Sequence, residues 1–519
     1  MSISHTETDL PADGPPDLLR RKTFEVSEWN ERNLLSLDGG GVRGYWSLLV
    51  LEKLMRAIGE EESKQAGRRN ESSDILHSFL PAELPENHTQ CSTTLPGTEG
   101  NDIRYHARRF LPCHYFDLII GSSTGSLIAI MLARFRMTVA DCLEEYETMG
   151  QKIFGKPRWL SQRYIGVINR PKYDARAMED AFKDVTKRRD TISDPRDFDV
   201  HAKIKTEEGT CSMFATTMRR VENPGMPSSE LPHILRSYPH NKTYKTKTNL
   251  NFDVGQGNTE MEVWRVARAA TAAPMYFEEV RFTTPDRTVI YSDGGFSRHN
   301  NPTRRGIEEL EILHIRKGPQ GEERGKIGVV VSVGTARSDD LGSGKGIIRL
   351  IKRAFNIAGN PDDVAADLEE QNRAHYWRFN DNAGIKVDLD DWKPRNSGKR
   401  TLKTIKQRFS EWAADEDNQK MLQKCAVQLV NRRRARTQDV ERWQRFSSVT
   451  QYECHCNNAW RPFHLGSEFD AHYREKHAPL EETSFWEPRV SASWIYPARV
   501  QSRLPNGVMR SLTGRGQQE

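Results

Sequence analysis

The stretch Gly121-Ser122-Ser123-Thr124-Gly125 follows the apolar run FDLII and precedes SLIAIMLARF. It fits G-x-S-x-G with Ser123 at the centre. A nucleophilic serine on a sharp strand-to-helix turn leaves no room for Cβ atoms two residues to either side. The helix start behind it offers amides and partial positive charge to a developing alkoxide. Asp293 closes TVIYSD and precedes Gly294-Gly295, which presents a carboxylate at a strand end beside a tight turn. Within hydrogen-bond reach of a hydroxyl, such a group can act as general base. A third stretch, DGGGVRG, runs from Asp38 to Gly44 and sets Gly39, Gly40 and Gly41 between an apolar run and an amphipathic one. Glycines there cost backbone entropy. The usual reason is close approach to something negative, either a nucleotide phosphate or the oxyanion of an intermediate. Taken singly, the serine and aspartate patterns also describe ordinary turns.

A nucleotide site fails in both its usual forms. Gly344-Lys345 would need Gly at 339 and Ser or Thr at 346, where the chain has Asp339 and Gly346. Gly39, Gly41 and Gly44 of DGGGVRG keep the G-x-G-x-x-G spacing, but no plausible ribose carboxylate follows.

Strands must carry these groups. Apolar runs without alternation at 34–38, 116–120, 288–293 and 326–334 alternate with helix signals. They predict an α/β domain over 34–350 whose mostly parallel sheet is covered on both faces. Within it, 59–112 lacks clear periodicity and reads as a polar insertion, and 219–260 reads as irregular. Residues 1–33 read as a flexible tail, and 481–519 as another. The segment 351–446 is helical and basic, with apolar residues at Leu422, Ala426 and Leu429. Its run Arg432, Arg433, Arg434 and Arg436 reads as a solvated helix face or as a contact for anionic lipid or RNA.

Bulk composition adds exclusions. The net charge of +5 is the small difference between 77 bases and 72 acids, so the chain as a whole is not marked for nucleic acid. The N-terminus has neither a basic start nor an apolar run, and the longest uncharged run, 118–133, is too short and broken to span a bilayer. Seven scattered cysteines do not look like a disulfide framework. The expectation is an intracellular protein, soluble or peripherally bound.

In order and complete, the three motifs resemble those of the patatin-like phospholipase family: D-G-G-G-x-R-G, then G-x-S-x-G, then D-G-G. PCHYFDLIIGSSTG, RAATAAPMYF (268–277), NNP (300–302) and VVVSVGT (329–335) look similar too, with the fungal type closest. The resemblance covers about 33–340. It implies a three-layer α/β/α patatin-like fold with a mostly parallel central sheet, here followed by the helical basic region. It implies a Ser–Asp dyad without histidine, with Ser123 as nucleophile and Asp293 as proton acceptor. Gly121, Gly125, Gly294 and Gly295 are the motif glycines. The amides of Gly39, Gly40 and Gly41 would form the oxyanion hole, with Arg43 holding the loop. The implied activity is calcium-independent hydrolysis of acyl esters of phospholipids or related glycerolipids, of phospholipase A or lysophospholipase type. No catalytic cofactor is implied. The implied partners are the lipid substrate and a membrane surface met peripherally from the cytoplasm. A different class is a catalytically weak lipid-binding or signalling scaffold of the same fold. His114 and His299 lie near the motifs in sequence and are expected to be structural.

A last pattern, YECHCNNAWRPFHLGSEFDAHYREKH (452–477), lies in a finger-like segment at 450–480. It resembles a two-Cys, two-His zinc finger, with Cys454, Cys456, His472 and His477 as ligands of a structural zinc. Its C-x-C departs from the usual wider spacing and strains a tetrahedral pair. One irregular finger does not imply a specific nucleic-acid partner.

Overall fold

A computed structural model describes residues 28–68, 78, 110–157, 171–189, 200–222, 228–239, 259–283, 285, 287–296, 300–314, 316–317, 323–336, 370, 375–392, 398–449, 452–454, 461–463 and 466–476. Its centre is an eight-stranded sheet. The first six strands are β1 (Glu31–Leu37), β2 (Leu118–Ser122), β3 (Ser212–Glu222), β4 (Glu230–Arg236), β5 (Val280–Thr283) and β6 (Thr288–Asp293). β7 (Arg316–Lys317) and β8 (Glu323–Arg324) form a separate ribbon. β9 (Lys326–Val333) and β10 (His375–Phe379) complete the sheet in the order β10-β9-β1-β2-β3-β6-β5, with β4 also on β3. The strands β10, β9, β1, β2 and β3 are mutually parallel. The strands β4, β5 and β6 add an antiparallel end.

The helices are α1 (Gly44–Arg68), α2 (Thr124–Ala129, continued by a π turn over Ile130–Arg134), α3 (Val139–Phe154), α4 (Ala175–Arg189), α5 (Val263–Ala270) and α6 (Thr303–His314). They continue with α7 (Lys399–Ala414), α8 (Glu416–Arg436), α9 (Val440–Ser448) and α10 (Gly466–Lys476). Side chains alternate across a strand. Leu34, Ile120, Phe214 and Val330 therefore pack with Ile307 and Leu310 of α6 on one face. Leu35, Leu37, Ile119 and Val331 pack with α1, α2, α3 and α5 on the other. This is the expected three-layer arrangement. The first turns of α1 are anchored by Trp46, Leu48, Val50, Leu51 and Leu54, all fully buried. Each contributes roughly 1.5–3 kcal/mol, so the glycine loop that feeds α1 hangs on a fixed support.

The sheet's departure from parallel order makes the site. β2 runs beside the first half of β3, with Ser122 ending opposite Thr216. β6 runs the opposite way beside the second half, with Asp293 ending opposite Thr217. β4 occupies the other edge, opposite both Thr216 and Thr217. The C-terminal ends of β2 and β6 therefore abut on one edge of β3, and the residues that leave them emerge together.

Several expectations change. Helix α1 reaches Arg68, well into the stretch expected to be an insertion from 59. The stretch 219–260, expected to be irregular, contains the end of β3 and all of β4. β10 joins the sheet from beyond residue 350, pairing Arg378 with Ser332. The arginine run is neither a solvated face nor a free lipid contact. Arg433, Arg434 and Arg436 are buried, and Arg432 is paired with Glu31. α8 packs along α1, where Glu62 accepts from Arg433 Nε at 2.5 Å and from Arg434 Nε at 2.8 Å. Arg436 Nη2 donates to Asp117 at 2.7 Å, and Arg32 Nη1 to the same carboxylate at 2.9 Å. Burial opposes ionisation of Asp117, but Arg436 and Arg32 outweigh it and hold its pKa well below the carboxylate range. Among the described residues, no helix is long and apolar enough to cross a membrane.

Candidate active site

Ser123 stands between β2 and α2 with φ 50° and ψ −124°. A non-glycine residue there stores about 1–3 kcal/mol of strain. The turn is closed by Ser126 Oγ donating to the Gly121 carbonyl at 2.8 Å. The flanking glycines are required by space. A Cβ on Gly121 would lie 2.1 Å from the carbonyl carbon of Gly125, and one on Gly125 would lie 2.3 Å from the Leu37 carbonyl oxygen. The Ser123 side chain does not cap α2. Its Oγ instead donates to Asp293 Oδ2 at 2.6 Å.

Asp293 is fully buried. Its second oxygen, Oδ1, accepts from the Gly295 amide at 2.8 Å, and its own amide donates to the Ala272 carbonyl at 3.1 Å. Burial pushes the carboxyl up, against the hydrogen bonds from Ser123 and the Gly295 amide, to about 7. A raised pKa makes a stronger base, and it sets a pH limb. A base must be unprotonated to accept the serine proton, so kcat/KM is expected to rise with pH up to about 7 and then level. Measuring kcat/KM on a soluble ester from pH 5 to 9 checks this. A profile flat across pH 7 would remove Asp293 as the titrating base.

The glycine loop passes beside this pair. Gly41 has φ +57°, and a Cβ on it would lie 1.9 Å from the Leu389 carbonyl oxygen, so only glycine fits. The loop is held from several sides. Val42 N donates to the Leu389 carbonyl at 2.8 Å, Tyr146 Oη to the Gly41 carbonyl at 2.6 Å, and Arg43 Nη1 to the Ala336 carbonyl at 3.1 Å. Burial lowers the Arg43 pKa to about 10, against the pull of Asp388. The Gly39 amide donates to the Asn300 carbonyl at 3.3 Å, and the Gly40 amide to Thr124 Oγ1 at 3.2 Å. The latter bond ties the loop to the residue after Ser123. A serine hydroxyl on a strained turn, a buried carboxylate as its acceptor and a backbone-lined loop alongside are what nucleophilic acyl transfer requires of a site.

Residues 105–306 match the Patatin family model, described as patatin-like phospholipase. This patatin-like segment holds Ser123 and Asp293; the glycine loop precedes it. The chain is also similar to calcium-independent phospholipase A2-gamma of Rattus norvegicus, 23% identical over 347 residues, which is 65% of this chain and 39% of that protein. It is similar to the 85/88 kDa calcium-independent phospholipase A2 of the same animal, 24% identical over 75% of this chain and 41% of that protein. Phospholipase A I of Arabidopsis thaliana is 25% identical over 54% of this chain and 23% of that protein. The chain thus spans about two fifths of the rat relatives and under a quarter of the plant one.

Other candidates lie elsewhere. His114, inside the patatin-like segment, is buried between Ser78 Oγ at 2.6 Å and the Ser447 carbonyl at 3.0 Å. This is a structural role that ties β2's approach to α9. His299 lies outside the described residues, as do Cys456 and His477. Cys454 ends β11 (Tyr452–Cys454), which pairs antiparallel with β12 (Arg461–Phe463). α10 follows, and its His472 ring lies 4.8 Å from that of Phe463. Sequence reasoning missed Thr124, Asn300, Leu389 and Arg378 as supports of the loop. The NNP motif was a signal for Asn300; a lone arginine in HYWRF gave none.

Proposed function

We propose that this protein is a lipid acyl hydrolase that cleaves fatty acyl esters of phospholipids or related glycerolipids through Ser123 and Asp293. The observation that carries the reading is the 2.6 Å hydrogen bond from Ser123 Oγ to Asp293 Oδ2, made by a buried carboxyl whose pKa is near 7. Ser123 Oγ attacks the ester carbonyl carbon while its proton passes to Asp293. The carbonyl π pair moves onto oxygen. The Gly40 and Gly41 amides meet that oxyanion, Gly40 by releasing the Thr124 hydroxyl. The Gly39 amide, engaged with Asn300, serves the loop's shape. Preorganised donors of this kind are worth about 3–4 kcal/mol each. Collapse breaks the bond to the alcohol, which leaves with the proton from Asp293. Water then attacks the acyl–Ser123 ester, gives its proton to Asp293, and the fatty acid departs as Ser123 recovers its hydrogen.

Three supports bear on substrate. The matched family is described as patatin-like phospholipase, the rat and plant relatives are named as phospholipases, and two of them are named calcium-independent. The steps above call on no metal. The hairpin-then-helix order of the finger-like segment supports a structural zinc there, outside the chemistry. The reading also has the protein meet a membrane surface from the aqueous side. The test is fatty-acid release from mixed phospholipid vesicles, followed by mass spectrometry, with and without a calcium chelator and with zinc restored. Equal release in both arms is expected. No acyl product from any glycerolipid, or a rate restored only by calcium, would contradict the proposal.

A further inference from the structure

The glycine loop is held by residues far downstream of the patatin-like segment. Asp38, which starts the loop, receives two parallel hydrogen bonds from Arg378 on β10: Nη1 to Oδ1 at 3.1 Å and Nη2 to Oδ2 at 2.6 Å. This is the bidentate fork that fixes a carboxylate in its plane as well as in position. Arg378 is itself oriented by Nη1 donating to Ser332 Oγ at 2.8 Å. Ser332 belongs to a fully buried polar group in which Thr303 Oγ1 lies 2.9 Å from both Ser332 Oγ and Ser36 Oγ. Ser36 is two residues before Asp38 on β1. The adjoining Asn300 takes the Gly39 amide on its carbonyl and returns its Nδ2 to the Gly39 carbonyl at 3.2 Å. Asp38 and Gly39 are therefore fixed from below, and Val42 is fixed from beyond by Leu389. Gly40 and Gly41 lie between these two fixed points.

We propose that Arg378 is a positioning residue for the reaction: by holding both oxygens of Asp38, it sets where the Gly40 and Gly41 amides point relative to Ser123. The inference rests on the hydrolase reading above. It makes the part of the chain around β10 necessary for catalysis, although it touches no substrate. Lysine can satisfy charge here but not the fork. Misplacement of a catalytic group by about 1 Å can cost on the order of a hundredfold in rate.

The test uses the full chain with p-nitrophenyl butyrate and compares wild type with Arg378→Lys, Arg378→Met, Asp38→Asn and the double variant Asp38→Asn/Arg378→Met. Thermal melts are recorded alongside. Arg378→Lys is expected to stay folded, lose on the order of a hundredfold in kcat, and keep KM within about threefold, because transition-state contacts are disturbed and ground-state binding is not. Labelling of Ser123 by a fluorophosphonate should slow in parallel. The double variant should be no slower than Arg378→Met, since both act through one pair. Wild-type kcat in folded Arg378→Lys, a loss confined to KM, or additive losses in the double variant would overturn the proposal. So would failure of Arg378→Lys to fold, which would make the pair a stability element only. Should wild type itself turn over no ester, the hydrolase reading fails first, and that result is distinct from the others.

Discussion

Ser123→Ala and Asp293→Asn are each expected to abolish nearly all ester hydrolysis, and the double variant to be little worse than either. The two side chains share one proton along a single 2.6 Å bond, so removing one leaves the other without a task. In serine hydrolases such groups act as a unit, with losses on the order of 10⁴–10⁶ and strong non-additivity. Ser122→Ala should be mild, because Ser122 closes β2 and only Ser123 occupies the strained turn. A control separates chemistry from folding. The Asp293 carboxyl is raised to about 7 by burial, so it favours the folded state below about pH 4, its ordinary range, and that benefit is lost as pH rises through 7. Asp293→Asn should therefore be no less stable than wild type at pH 8. Comparing initial rates and thermal melts of the five proteins at pH 8 decides it. Additive losses, or residual activity near wild type in either single variant, would break the dyad.

The largest stability effect is expected at Glu62. This carboxylate is fully buried and holds the guanidinium groups of Arg433 and Arg434. Burial disfavours its charge, but the two arginines more than compensate and keep its pKa below the ordinary value. Glu62→Gln would leave two cations in the interior without a counter-charge. Breaking a buried pair in this way costs about 3–5 kcal/mol. Because the pKa is depressed, the stabilisation is complete above about pH 4 and disappears as pH falls through the folded value. Chemical denaturation of Glu62→Gln at pH 7 should show a shift of that size, while Lys420→Ala, on the exposed side of α8, should show little. A Glu62→Gln protein as stable as wild type would mean that the α1–α8 contact rests on apolar packing alone.

How much was legible in the sequence follows from what each signal depends on. The strands that became β1, β2, β6 and β9 were readable because burial on both faces leaves apolar runs without alternation. Ser123 and Asp293 were readable because steric demands force glycines around them. Their meeting was implied by the family resemblance but not readable from the residues themselves. It depends on β6 running antiparallel to β3 and ending where β2 ends, a register set by the whole sheet. The arginines of α8 were misread because charge spacing along a helix reports only the helix. Their partners, Glu62 and Asp117, lie 371 and 319 residues away, and nothing local marks them. Arg378 was missed for the same reason: its partner Asp38 is 340 residues away.

The most direct test of the central claim is where an acyl-like group attaches. The full chain is treated with a fluorophosphonate, digested and mapped by tandem mass spectrometry, with Asp293→Asn and Ser123→Ala in parallel. The Ser–Asp assignment predicts one adduct on Ser123 in wild type, much slower labelling in Asp293→Asn and none in Ser123→Ala. An adduct on another residue, or equal labelling of wild type and Ser123→Ala, would contradict it.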